Sequence, residues 1–332
     1  MESFDWRDGE RTIHFGCGRA AEAVGLLGGP GYVLLTTERA QSSLPAVAEA
    51  AATVKLVAPG RVDEVAGELL GLDADRFVAL GGGRVIDVAK ALTAARRRED
   101  PSARTLAVPT TLSGAEMTWV HRHAAGVPAD TARARPAVVV CDPALAASQP
   151  DAELAGSALN ALGHAAEAPV TTQANPVATL AALEAARLIA EAYAGDPEAP
   201  DRDALALGAL LAGYAIDSTW YGLHHVLSQT LVRLAGVAHG AANAIMLQHT
   251  VDALATRETH GGTRLAEALG GDAAGFVRAV CARTGATRLR ELGVDAEQLD
   301  ACADAAAERA ELELTPPRAT LDELRALYEA AR

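Results

Sequence analysis

Between about Thr12 and Val140 the sequence alternates short β-branched runs with helical ones, and after Pro150 the β-runs stop. This change of texture restricts the possible folds more than any other feature of the chain. The runs GYVLLTT, ATVKLVAPG, RFVALGGG, RTLAVPTT and PAVVVCDP are separated by amphipathic stretches such as RVDEVAGELLG and RVIDVAKALTAARR. That rhythm of strand, turn, helix, strand predicts βαβ units and a largely parallel sheet. From Asp151 the text is rich in alanine and leucine at helical spacing, as in NPVATLAALEAARLIAEAYAG and TLDELRALYEAAR. An all-helical second half is expected. The predicted organisation is an α/β domain over residues 1–150 and an all-α domain over 151–332. No repeat or low-complexity linker intervenes, which argues for a fixed cleft between the two.

Length agrees with this division, since 332 residues suit two domains of roughly 100–200 residues each. With 50% hydrophobic residues the chain is not a disordered one. Even the apolar run DALALGALLAGYAI falls below the ~18–20 residues of a spanning helix, and Met1 to Gly9 is acidic and polar, unlike a signal peptide. A soluble, cytoplasmic protein is expected. Cys17, Cys141, Cys281 and Cys302 show no CxxC spacing and read as free, mostly buried thiols of a reducing compartment. A net charge of −14 argues against nucleic acid or an anionic membrane as partner, although a local basic pocket can still hold an anionic small molecule. The basic run ARRRED, Ala95 to Asp100, is most simply a solvated helix C-terminus, where the helix dipole favours positive charge.

Two turns carry candidate chemistry in the first half. RFVALGGGRVIDVAKAL reads as a strand ending at Leu80, then Gly81, Gly82 and Gly83, then a helix. Glycines there let backbone N–H groups approach an anion at a helix N-terminus, so the turn can cradle a pyrophosphate. Three glycines at a βα turn are as readily structural. RTLAVPTTLSGAEMT also runs from a strand into a polar turn, and Thr110, Thr111, Ser113 and Thr118 offer hydroxyls where a nicotinamide ribose would lie. Asp87 on the helix and Thr36, which with Thr37 ends VLLTT just before Glu38, complete the cofactor candidates. FGCGRAAEAVG resembles half of a dinucleotide fingerprint but lacks the third glycine at the right spacing. It reads better as a tight turn before a helix.

In the second half LNALGHAAEA places Asn160 and His164 four residues apart, one above the other on a helix face. Further on stand His224, His225, His239 and His249, so five of the nine histidines fall between 164 and 249. A lone histidine on an apolar helix is more often a bonded core residue than a ligand, and His249 and His260 are assigned to that class or to the surface. The others group. His164, His225 and His239 are able to hold a divalent metal with an open position, but their fourth partner is an amide, a weak ligand for transition metals. The same cluster is equally open to metal-free use, with an imidazole as proton donor and the rest orienting an anionic substrate.

The ordered set GGGRVIDVAKAL, PTTLSGAEMT, DPALAASQPDAELAGSALNALGHAAEA, ANPVATLAALEAA and GLHHVLSQTL with AHGAANAIMLQH resembles the iron-containing alcohol dehydrogenase superfamily, with its dehydroquinate synthase-like fold, and within it the maleylacetate reductase branch. The resemblance implies a nucleotide-binding α/β domain, an all-helical domain carrying the substrate or metal site, and NAD(P)H in the cleft. It maps the metal ligands of metal-dependent members, an aspartate and three histidines, onto Asn160, His164, His225 and His239. Asparagine at the first position is typical of maleylacetate reductases, so a divalent iron or zinc ion is not expected to be held tightly. Departures fall at Arg84, where serine usually follows the glycines; at Gln229, where a relay histidine often stands; and at VRLAG, where Arg233 replaces glycines. WVHRHAAGVPADTARARP is also shorter than its family counterpart.

The leading expectation is an NAD(P)H-dependent reductase of a small, acidic carbonyl or α,β-unsaturated carbonyl compound, cytoplasmic and homodimeric. Its catalytic candidates are His225, His239, His164, Asn160 and Gln229. The alternatives are a metal-dependent alcohol dehydrogenase, a dehydroquinate synthase-type lyase, and a catalytically silent or altered nucleotide-binding member. For the lyase, the lysine- and glycine-rich motif expected after PTT is absent.

Overall fold

The computed structural model describes residues 2–196, 199–257 and 260–332. The chain divides into two compact units, Met1–Gln149 and Pro150–Arg332.

In the first unit the β-branched runs become β1 (Phe4–Asp8), β2 (Arg11–Phe15), β3 (Val33–Thr36), β4 (Thr53–Leu56), β5 (Arg76–Gly81), β6 (Arg104–Pro109) and β7 (Val138–Cys141). They form one sheet in the order β1-β2-β7-β6-β5-β3-β4, parallel throughout except for β1, which pairs antiparallel with β2. The intervening helices are α1 (Arg19–Leu26), α2 (Glu38–Ser43), α3 (Pro45–Glu49), α4 (Val62–Glu68), α5 (Gly83–Arg96) and α6 (Pro143–Ala146). Both faces of the sheet are covered. Leu35, Phe77, Ala79 and Ala107 pack with Ile86 and Ala89 of α5, whereas the alternate residues Leu34, Val78, Leu80 and Val108 pack with Ala23 of α1 and Val47 of α3. A strand buried on both faces can therefore be apolar at every position, as RFVALG nearly is.

β1 has no counterpart in the sequence reading. FDWRD is mostly polar because it lies at the sheet edge, and Phe4 anchors it by stacking on Phe15 with ring centroids 5.1 Å apart. The FGCG segment is a turn before a helix, with Gly18 in the left-handed region (φ 86°) at the start of α1.

The second unit is built from α7 (Asp151–Glu167), α8 (Pro176–Ala194), α9 (Arg202–Thr219), α10 (Leu223–Leu234) and α11 (His239–Ala255). It continues with α12 (His260–Ala268), α13 (Ala273–Cys281), α14 (Ala296–Ala307) and α15 (Leu321–Ala331). Starts are marked by side-chain caps: Asn175 accepts the Ala178 N–H ahead of α8, Asp201 those of Asp203 and Ala204 ahead of α9, and Thr320 that of Glu323 ahead of α15. α7 is buried around almost its whole circumference from Leu154 to Glu167. A helix surrounded in this way has no solvent face on which to place polar residues, so the few it carries need another explanation. Among the described residues no helix is long and apolar enough to cross a membrane.

Candidate active site

In the first unit the chain runs from β3 to the edge strand β4 and then crosses to β5 on the other side of β3. Ligands of open α/β sheets bind beyond the strand ends at such a reversal. A cavity of about 310 Å³ lies there, lined by Thr37 after β3, Gly82, Gly83 and Arg84 at the start of α5, and Thr110 and Thr111 after β6. Gly82 has no room for a side chain, since a Cβ there would stand 2.9 Å from Thr111 Cγ2. Arg84 and Arg39 both line the cavity, so the residue that departs from the family pattern adds charge to this site. Glu38 lines a separate groove with Glu49.

The other expected cofactor residues have different duties. Gly81 ends β5 and is buried. Thr36 is a correction: it is fully buried and its hydroxyl donates to the Leu80 carbonyl at 2.9 Å, so Thr37, one residue on, lines the cavity instead. Alternation along a strand turns neighbouring side chains to opposite faces, so Thr36, the last residue of β3, faces the sheet and Thr37 the cavity. Asp87 pairs with Lys90 at 2.8 Å. Lys90, wholly buried, also donates to the carbonyls of Ala115, Thr118 and Val120 and to Thr118 Oγ1. Asp87 and Thr118 thus hold the polar turn after β6 in shape. Ser113 accepts the Ala115 N–H and stands where a Cβ on Gly83 would meet it at 3.0 Å.

In the second unit α7 carries Asn160 and His164 one turn apart, as their spacing predicts, and the ring of His164 stacks on His225 of α10 with centroids 4.7 Å apart at 15°. His225 also meets His224 edge-on at 4.8 Å and lies against Tyr221 at 5.9 Å. His239 begins α11, is exposed, and is near enough to His164 and His225 to disfavour their protonation. Burial is the larger cause: it pushes His225 down to about 3 and His164 well below the ordinary imidazole range. His225 is therefore a neutral ring at ordinary pH. His224 bonds through Nδ1 to Thr250 Oγ1 at 2.8 Å and belongs to the core, while His249 is half-buried on α11; the side chain of His260 lies outside the described residues.

The partner of His225 was missed by the sequence reading. Its Nδ1 lies 2.5 Å from Oε2 of Glu167, the last residue of α7, which is wholly buried. Glu167 Oε1 accepts the backbone N–H groups of Gly222, His224 and His225 at the start of α10. Burial pushes this carboxyl up to about 7 against the pull of those donors. A signal for it was present, because Asn160, His164 and Glu167 fall at i, i+4 and i+7, one polar stripe on the apolar C-terminal half of α7. Arg309 was missed as well. Its Nη2 donates to Glu311 at 2.6 Å and reaches Tyr221 Oη and Gln229 Oε1 at 3.4 Å. Gln229, one turn beyond His225, thus has its carbonyl turned to Arg309, and the exposed Arg233 reaches the same oxygen at 3.4 Å.

The side chains do not suit a tightly held dication. Asn160 brings an amide whose buried Oδ1 has no hydrogen-bond partner, and no negative charge. Among the described residues no group of three or more histidine, cysteine or acidic side chains is placed to hold a metal ion.

Residues 12–143 match the family described as iron-containing alcohol dehydrogenase, and residues 154–332 match the C-terminal part of the Fe-containing alcohol dehydrogenase family. The chain belongs to the iron-containing alcohol dehydrogenase family. Within it, the chain is 33% identical over 277 residues to a maleylacetate reductase from Sphingobium indicum, covering 78% of this chain and 77% of the relative. A 1,3-propanediol dehydrogenase from Klebsiella pneumoniae is 32% identical over 200 residues, 53% of this chain and 51% of the relative. The crystal structure of a maleylacetate reductase from Agrobacterium tumefaciens superposes with a TM-score of 0.82 at 29% identity, covering 100% of this chain and 98% of that one. This member of the iron-containing alcohol dehydrogenase family is an oxidoreductase, a maleylacetate reductase-like reductase with the two-part α/β and all-α fold.

Proposed function

We propose that the protein uses NADH or NADPH to reduce a small, acidic carbonyl or α,β-unsaturated carbonyl compound, with maleylacetate the first to try. The observation that carries this reading is the neutral constellation of Asn160, His164 and His225 in a chain one third identical to a maleylacetate reductase. The glycine turn at the sheet reversal supplies backbone donors for a pyrophosphate. With Arg39 and Arg84 in the cavity wall and Glu38 in another groove, a 2′-phosphate meets positive charge. NADPH is therefore accepted, and a preference for NADH of ~100-fold, about 2.7 kcal/mol, contradicts this part of the reading.

The bound cofactor supplies the hydride. The remaining chemistry is stabilisation and protonation of the enolate or alkoxide that results. Asn160 and His164 orient the substrate oxygen. His225, neutral and with an unbonded buried Nε2, presents an acceptor rather than a stored proton. It orients the hydroxylic group through which the proton arrives, and the exposed His239 exchanges that proton with solvent. Gln229, engaged with arginines, sets the polarity beside them.

Metal binding is weak in this reading, because nothing in the donor set offsets the desolvation of a dication. Asn160→Asp supplies that charge and is expected to raise Zn²⁺ or Fe²⁺ affinity at least ~100-fold, about 2.7 kcal/mol, by elemental analysis after chelation. The second reading, a metal-dependent alcohol dehydrogenase, is favoured by the similarity to the propanediol dehydrogenase. The protein is further proposed to be a cytoplasmic homodimer. Four free cysteines support the compartment, and sedimentation equilibrium tests the assembly.

The deciding experiment is a calorimetric titration with NADH and NADPH, followed by a panel of keto- and enone-acids with cofactor oxidation monitored by absorbance. Turnover of the acids supports the reading. Turnover confined to simple alcohols and dependent on added Fe²⁺ or Zn²⁺ transfers it to the second, and absence of dinucleotide binding removes both.

A further inference from the structure

We propose that Glu167 is a positioning residue that fixes the tautomer of His225: it holds the ring proton on Nδ1 and so leaves Nε2 as a bare acceptor. Two independent sets of contacts, one for each carboxylate oxygen, support the assignment. Oε1 is anchored by three backbone donors at the start of α10, from His224 at 2.6 Å, Gly222 at 3.2 Å and His225 at 3.4 Å. These are N–H groups that a helix start leaves without intrahelical partners, and the dipole there favours negative charge. Leu223, the remaining residue of that turn, donates to Thr315 Oγ1 at 3.2 Å. The helix start has little freedom to shift. A Cβ on Gly222 would run into the Thr315 side chain, and Trp220, just before it, takes a left-handed backbone (φ 59°) while its ring stacks on Tyr221.

With Oε1 fixed in this way, Oε2 has one place to go, and it meets His225 Nδ1 at 2.5 Å. Once ionised, as in mildly alkaline solution, the Glu167 carboxylate only accepts, so the neutral imidazole donates from Nδ1. Its other nitrogen is buried and has no partner in the protein. The ring plane is held as well as the proton, since His164, His224 and Tyr221 pack around it. A carboxylate that orients a histidine through Nδ1 is a recurrent way of preparing Nε2 for chemistry or for a ligand. Glu167 therefore caps a helix and sets a proton position with one side chain.

The bland alternative is that Glu167 only caps α10, and Glu167→Gln separates the two roles. The amide oxygen can still accept from the helix N–H groups, but the amide nitrogen now donates to Nδ1 and forces the ring proton to Nε2. In ¹⁵N-histidine-labelled protein, long-range ¹H–¹⁵N correlation in mildly alkaline buffer is expected to show His225 as the Nδ1–H tautomer in the wild type and as Nε2–H in Glu167→Gln. The thermal midpoint should move by only a few degrees. The kinetic arm rests on the proposed reductase reading: kcat for an accepted acid should fall at least ~100-fold, with KM and NAD(P)H affinity changed less than about threefold. An Nε2–H ring in the wild type, or an unchanged tautomer in the variant, overturns the proposal. An inverted tautomer with unchanged kcat upholds Glu167 as the residue that fixes the ring proton and shows that this proton position does not govern the reaction. The wild-type spectrum needs neither substrate nor variant, so it decides the tautomer even where no acid in the panel is reduced or where Glu167→Gln fails to fold.

Discussion

The two candidate sites of this chain are built from opposite materials. The cavity beyond β3, β5 and β6 is made of backbone, glycine and hydroxyl groups with two arginines in its wall, and close packing against Thr111 keeps the glycine turn free of side chains. The imidazole constellation of the helical unit is made of side chains on α7, α10 and α11, and the His225 ring at its centre is oriented by Glu167 and by stacking on His164. One needs an open anion-binding turn, the other fixed ring orientations. The lesson is that a backbone site tolerates changes around it as long as the turn survives, whereas a side-chain site fails when any one support is altered.

Five substitutions, the two histidine variants taken together, sharpen or break that contrast from the largest expected effect downward. Replacing His225 by Gln should slow single-turnover hydride transfer by ~10²–10⁴ while leaving NAD(P)H affinity nearly unchanged. If this variant and His239→Gln both keep the wild-type rate, the imidazole site does not serve the reaction. Gly82→Val places a side chain against Thr111 and across the approach of a pyrophosphate. Dinucleotide affinity by calorimetry should weaken ~10–100-fold, with a lower thermal midpoint but a retained fold. Unaltered binding would remove the glycine turn from the cofactor site.

Gly163→Ala probes the crowding of the helical unit, because its Cβ would stand 2.6 Å from His224 Nε2 and 2.8 Å from Cδ2. Overpacking of this kind costs about 1–3 kcal/mol, to be read from chemical denaturation. A neutral result would mean that the rings have more freedom than their packing suggests.

The smallest effect concerns pH and Glu116 in the α/β unit. Burial pushes this carboxyl from 4.5 up to about 7. Between those values the folded chain keeps a proton that the unfolded chain has lost, so stability falls as pH rises through the window and this contribution is greatest below it. Glu116→Gln keeps the group neutral and should flatten the profile across that window. Identical profiles for both proteins would show that Glu116 is ionised in the fold.

Hydrophobic periodicity made much of this legible. Strands buried on both faces read as RFVALG and RTLAVP, and alanine-rich helical spacing read as helix, because period and propensity are local properties. β1 escaped because an edge strand needs few apolar residues. Asn160 and His164 were legible as an i, i+4 pair, and Glu167 belonged to the same stripe, yet its meaning lay in the start of α10 more than fifty residues away. Which of Thr36 and Thr37 at the end of β3 faces the cavity was not legible, because the hydroxyl of Thr36 turns into the sheet to bond the Leu80 carbonyl.

The sequence by itself therefore determined where strands and helices form, which turn is free of side chains, and which residue types are present for the chemistry, since each of these is settled within a few residues of chain. Tertiary structure decided which nitrogen of His225 is left bare, whether Arg84 faces the cavity, and that Lys90 serves as an internal brace for the turn after β6. Those outcomes depend on hydrogen bonds and burial between segments far apart in the chain, and a hydrogen-bond partner brought in by folding leaves no local pattern to read.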